Sequence, residues 1–130
     1  MTTIAMRAAP KPRATVDDLD ALFRGLADPT RIRILNLLAC GELCVCDIVE
    51  LLEVPQPTVS RHLAYLRRSG LVDATRDWKF AHYRLAEPVS AMHATLIACV
   101  RGCFVGVTFL DQERARAADR VQARTADPCP

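Results

Sequence analysis

The sequence predicts a mainly α-helical chain with one small β-hairpin, in the order α-α-α-α-β-β-α. Three observations predict it. Apolar residues recur at helical spacing from Thr15 to Ser69, the pattern shortens to two strand-like runs at Leu71–Arg76 and Phe80–Ala86, and a long apolar-rich helical stretch follows over Val89–Ala118. A chain of 130 residues holds one domain. We expect a mobile basic arm over 1–14, a folded domain over 15–118 and a flexible tail over 119–130.

Thr15 and Asp18 form a capping-box pattern ahead of Val16, Leu19, Leu22, Phe23 and Leu26, which predicts the first helix. Asp28-Pro29 marks a second start, an acidic N-cap followed by proline at the first helical position. Ile32, Leu35 and Leu38 form its inward stripe, broadened by Ile34 and Leu37, and Gly41 ends it. A short third helix spans Val45–Leu52 up to Val54-Pro55. The fourth runs from Gln56-Pro57 to Ser69 and stops at Gly70, with Val59, Leu63 and Leu66 inward. Asp77-Trp78-Lys79 forms the tip between the two strands, and Glu87-Pro88 opens the last helix. Helices, hairpin and final helix in this order make a winged helix-turn-helix, with the hairpin as the wing.

Composition narrows the function. Aromatics are 5% of the chain, too few for a platform that stacks single-stranded bases. The formal net charge is +2, so attraction to a polyanion must come from local clustering. Ala94–Leu110 is almost entirely apolar, but it carries Arg101 and is shorter than the ~20 residues a bilayer requires, which predicts a buried helix and no membrane contact. Met1–Ala14 has no apolar run, so no secretory signal is expected. Six cysteines then read as free or ligating thiols in a reducing cytoplasm. No glycine-rich phosphate loop and no paired acid/base site is recognisable, so neither an enzyme nor an organic cofactor is expected.

The fourth helix separates its faces. Opposite the aliphatic stripe stand Gln56, Thr58, Ser60, Arg61 and His62, then Arg67 and Arg68. Short hydroxyls and forked donors of this kind reach base edges and phosphates in a major groove. From Val54 to Arg84 six basic residues (Arg61, Arg67, Arg68, Arg76, Lys79 and Arg84) oppose two acidic ones (Asp73 and Asp77), a local +4. Lys79 at the wing tip can reach a flanking phosphate or the minor groove. The alternative is a solvated helix face on a protein-binding module.

Residues Leu19–Leu85 resemble the ArsR/SmtB family of metal-responsive repressors. The resemblance is carried by Leu26–Leu35, Gly41–Ile48, Gln56–Leu63, Ser69–Val72 and His82–Leu85. It implies a homodimeric repressor that leaves a double-stranded operator, an imperfect palindrome, when an inducer binds. Family members with Cys-x-Cys at the start of the third helix are similar to sensors of arsenite or of cadmium and lead.

That pair is Cys44 and Cys46. Soft thiolates select soft ions: trivalent arsenic or antimony, or Cd and Pb. Cys44 falls at the helix N-cap with Asp47 three residues on, in capping-box spacing. Residues i and i+2 of a regular helix point about 200° apart. We therefore expect two thiolates holding one ion to distort the first turn, and that distortion to be the switch. Trivalent arsenic favours three sulfurs. Where arsenite sensors resembling this chain carry a third cysteine stands Val49, and the arm has no cysteine. The sources left are Cys40, Cys99 or Cys103, Cys129, or no third sulfur, the last suiting a two-coordinate ligand such as a monomethylated arsenical. Cys99 and Cys103, at i and i+4, are either apolar interface cysteines or a second thiol pair. His93 stands alone on the last helix, so the family's zinc site there is not expected.

For the dimer, Ala98, Gly102 and Gly106 lie four apart, and Leu96, Val100, Val107 and Leu110 add apolar area. We expect a two-fold interface through the terminal helices, placing the reading helices about 34 Å apart. Two competing functions stay open. One is a thiol-redox or persulfide sensor on the same fold, and the other a thiol-rich metal buffer or protein adaptor that does not touch DNA.

Overall fold

The two helix starts written most plainly in the sequence are built as read. The Thr15 hydroxyl accepts from the Asp18 N–H at 3.1 Å while the Asp18 carboxylate accepts from the Thr15 N–H at 2.8 Å, opening α1 (Val16–Leu26). Asp28 accepts from the N–H groups of Thr30 and Arg31 at the head of α2 (Pro29–Leu38). In this computed structural model residues 4–5, 15–77, 80–102 and 104–126 are described. Helices α3 (Val45–Leu52) and α4 (Gln56–Ser69) follow, α4 ending on Gly70 at φ +89°.

Strands β3 (Val72–Asp77) and β4 (Phe80–Leu85) pair antiparallel as the wing. Two further strands, β1 (Ile4–Ala5) and β2 (Leu43–Cys44), complete a sheet of order β1-β3-β4-β2. Strand β1 lies in the expected mobile arm and pairs with β3. In β2, Leu43 stands opposite Tyr83 and Cys44 opposite His82. Neither short strand is foreseen, because two residues carry no alternation to read.

The expected single last helix is two. Helix α5 (Ala91–Gly102) stops, and α6 (Thr108–Ala126) begins after a turn in which Gly106 takes φ +97°. A left-handed residue cannot continue a right-handed helix. The Asp111 carboxylate fixes the turn by accepting from the Gly106 N–H at 3.1 Å. Helix α6 also runs past the expected end at residue 118, to Ala126.

The turn lets α6 fold back over α2. Of the predicted stripe Ile34, Leu35, Leu37 and Leu38 are inside and Ile32 is half-buried, and α6 adds Asn36 to the buried set. Asn36 donates to the Leu110 carbonyl at 2.9 Å and accepts from Arg114 Nε at 3.1 Å. The carboxylate of Glu113, 1% exposed, pairs with Arg33. The core lies between α2, α3, α4, α5 and the sheet.

This arrangement corrects the expected alignment of the small residues on one helix face. Ala98, Gly102 and Gly106 do not share one helix face, since Gly106 sits in the turn. Leu96 and Val100 point into the protomer's own core. A Cβ built on Gly102 meets nothing within 4 Å.

Candidate nucleic-acid interface and thiol site

Helix α4 stands on the inward stripe read from the sequence: Val59, Leu63 and Leu66 are fully buried. Gln56, Ser60, Arg61, Arg67 and Arg68 are exposed, while Thr58 and His62 are half-buried. The helix thus offers solvent a ridge of hydrogen-bonding groups and cations. Lys79, the wing-tip cation, lies outside the described residues.

A residue the sequence reading missed positions this helix. Arg31 on α2 donates to the carbonyls of Gly25 and Arg24 at 3.1 and 2.8 Å, closing the end of α1. Its guanidinium lies 4.2 Å from the centroid of the Tyr65 ring and its Nη1 is 3.4 Å from Nδ1 of His62, both on α4. His62 is therefore partly committed to the α2–α4 joint. The only sequence signal for Arg31 is a cation off the apolar stripe of α2.

Asp28 sits at the same joint. Burial alone would raise its carboxyl pKa, but the N–H groups of Arg31 and Thr30 and the nearby His62 and Arg31 outweigh that and hold it below 3.8.

The thiol site is built at the junction of β2 and α3. Cys44 is the N-cap of α3, with φ −87° and ψ 167°, and the Asp47 carboxylate accepts from its N–H at 3.3 Å. Because Cys44 is extended rather than helical, its side chain swings back toward Cys46. The sulfurs are in bonding contact, joined as a disulfide, across a Cα–Cα distance of 5.5 Å. This corrects the expectation that the pair can converge only by distorting the first turn: the sulfurs meet while α3 is intact from Val45. The i, i+2 argument holds for two helical residues, and here only Cys46 is one.

Asp47 is the other donor at hand. One ligand atom from each of Cys44, Cys46 and Asp47 lies within 4.8 Å of the others, with Cys44 and Asp47 buried and Cys46 exposed. Asp47 Oδ2 is 3.2 Å from Cys44 Sγ, and its Oδ1 accepts from Arg120 of α6 at 2.9 Å. Arg120 also pairs with Glu50 at 2.8 Å. These partners, Asp47 foremost, raise the pKa of the Arg120 guanidinium against the opposing effect of burial.

Cys40, the first of the sources weighed for a third sulfur, is not in this group. Its Sγ donates to the Arg114 carbonyl on α6 at 3.3 Å, and burial pushes its thiol pKa up from 9.0 against the pull of Arg114. Cys99 is half-buried on α5, whereas Cys103 and Cys129 lie outside the described residues. His93 is buried, with Nδ1 accepting from the Val89 N–H at 3.2 Å.

Residues 28–74 match the model of a bacterial regulatory protein family, the arsR family. Over 104 residues the chain is 43% identical to the arsenical resistance operon repressor of Escherichia coli, covering 79% of this chain and 83% of that one.

The chain belongs to the ArsR family.

It is a winged helix-turn-helix transcriptional repressor of that family. An SmtB repressor of Mycobacterium tuberculosis is 43% identical over 79 residues, 61% of this chain and 58% of its own length. Among solved structures, HlyU of Vibrio cholerae superposes with TM-score 0.58 at 30% identity, covering 68% of this chain and 92% of that one. A homodimeric winged helix-turn-helix DNA-binding domain from Mycobacterium bovis gives 0.57 at 34% identity, with 66% and 77% covered. The Escherichia coli and Mycobacterium tuberculosis relatives are both named as repressors. Among the described residues no helix is long and apolar enough to cross a membrane.

Proposed function

We propose that this ArsR-family repressor is released from its operator by trivalent arsenic or antimony bound through Cys44 and Cys46. The observation that carries the reading is the convergence of two sulfurs and one carboxylate at the head of α3. Ions held by sulfur at about 2.3 Å need donors roughly 3.5–4 Å apart, which a small opening of the reduced pair supplies. The donor set suits a thiophilic guest, and Cd or Pb are the other ions that share this chemistry. The Escherichia coli relative is a repressor of arsenical resistance, which supports arsenic first.

The chain's own residues supply the switch. Cys44 closes β2, which pairs with β4 of the wing, and it opens α3, which packs on α4. A guest that separates the sulfurs rotates Cys44 and so shifts both supports of the DNA-facing surface. Gln56, Thr58, Ser60, Arg61 and His62 read the major groove, and Arg67, Arg68 and Lys79 contact phosphates. The protein works as a homodimer on an imperfect palindrome. Exposed Val16 and Phe23 on α1, with Val105 and Val107 in the α5–α6 turn, support an interface made by the terminal helices.

The test is fluorescence anisotropy on a duplex taken from upstream of the coding sequence. Arsenite should weaken binding of the reduced repressor at least tenfold. Cys44→Ser and Cys46→Ser should bind DNA normally and ignore arsenite. An arsenite response that survives both substitutions refutes the site.

A second reading is favoured by the sulfur–sulfur contact itself. Oxidation of the two thiols to the disulfide, with peroxide taking the two electrons and leaving as water, removes the donors. If peroxide alone releases DNA and arsenite does nothing, the repressor is a thiol-redox sensor.

A further inference from the structure

We propose that Arg120 of α6 is a positioning residue for the thiol site: it fixes Asp47 with one carboxylate oxygen turned to the cysteines, so that affinity for a soft ion depends on the docking of α6. The inference rests on the reading of Cys44 and Cys46 as the ion-binding pair.

The two oxygens of Asp47 divide their work. Oδ2 faces the N–H of Cys44 at 3.3 Å and its Sγ at 3.2 Å, while Oδ1 takes the Arg120 guanidinium at 2.9 Å. A carboxylate has a broad, two-fold terminal torsion. Arg120 removes that freedom, and it compensates the charge of a side chain only 5% exposed as a residue. The same nitrogen reaches Glu50 at 2.8 Å, which anchors it to the next turn of α3.

Two further contacts of α6 flank the same segment. Val121, next to Arg120, packs so closely on Gly41 that a Cβ there would meet its Cγ1 at 2.8 Å. Cys40 is tied to the Arg114 carbonyl at 3.3 Å. Helix α6 therefore lies along residues 40–47, and Arg120 is the side chain through which it reaches the carboxylate beside the thiols. Groups that orient a ligating cluster from behind typically govern affinity by about 10–100-fold. By reciprocity, an ion held at the pair strengthens the docking of α6.

The experiment titrates the reduced full-length protein with cadmium chloride and follows sulfur-to-cadmium absorption. Arg120→Ala should weaken binding by about 10–100-fold with an unchanged cadmium-to-protein ratio. Arg120→Lys, which keeps a cation in reach, should restore most of the loss. In the Asp47→Asn background the further change Arg120→Ala should have almost no effect, because Arg120 acts through Asp47. Should Arg120→Ala fail to fold, Arg120→Gln carries the same comparison. Affinity within about twofold of wild type in that variant, or an equal loss with Asn at 47, overturns the proposal. Cadmium binding unchanged by Cys44→Ser removes the thiol-site reading itself, a result separable from silence at Arg120 alone.

Discussion

Arg31 lies over the Tyr65 ring at 4.2 Å and so welds α2 to α4. The same guanidinium closes α1 by donating to the carbonyls of Arg24 and Gly25. Tyr65→Ala should cost about 1–2 kcal/mol of stability in urea titrations. It should also lower operator affinity, although the ring need not touch DNA. Arg31→Lys should restore little, since an ammonium cannot fork to two carbonyls while stacking flat on a ring.

Gly102 and Gly106 should respond oppositely to alanine. Gly106 holds φ +97°, so Gly106→Ala should destabilise by about 1–2 kcal/mol and loosen the α5–α6 turn. Gly102 ends α5 with open space around it, so Gly102→Ala should stabilise by up to about 0.5 kcal/mol in thermal melts. If Gly102 packs on a second copy, sedimentation will instead show a weakened dimer.

The α1–α2 joint should lose its Asp28 cap only in strong acid. The Asp28 carboxyl has its folded pKa below 3.8, so its contribution is complete above that value and is lost as pH falls through the lower, folded one. Asp28→Ala should remove about 1 kcal/mol at pH 7 as a lost N-cap. The variant and the parent should converge in stability as the pH falls through that lowered pKa, measured by urea unfolding from pH 7 downward.

The arginines of α4 should separate by salt. Replacing Arg67 or Arg68 with Ala should reduce the slope of log affinity against log salt by about 0.9 for each phosphate no longer neutralised, equally on cognate and random duplexes. Arg61→Ala, nearer the start of the helix, should narrow the gap between the two duplexes.

Glu113 is buried against Arg33, and Glu113→Ala should cost about 3 kcal/mol. That is the lower end for breaking such a pair, because Arg33 keeps 25% of its side chain in solvent. The same change should free α6, seen as faster amide exchange across residues 108–126.

What the sequence reveals here is what acts over short distances. Thr15 with Asp18, Asp28 before Pro29, Cys44 with Asp47 and Gly70 each act within a few residues, so their signals are local and legible. Strands β1 and β2 are not, because each is held by residues of the distant hairpin. The break between α5 and α6 hides because the apolar pattern runs through it, while the backbone angle of Gly106 and its bond to Asp111 shape the turn. Helix α6 buries Leu110, Glu113 and Ala117, a stripe whose middle member is a glutamate, so it reads as polar and irregular. For that reason Arg120 falls in what looks like a tail. The cysteine pair is visible in the sequence, but its geometry is not, since the extended backbone of Cys44 is set by its pairing with His82.

Cys44 is the last residue of β2 and the cap of α3, with no linker between them. A lever with its pivot there has no slack. A small rotation at this residue is therefore passed without loss to β4 of the wing through β2 and to α4 through α3.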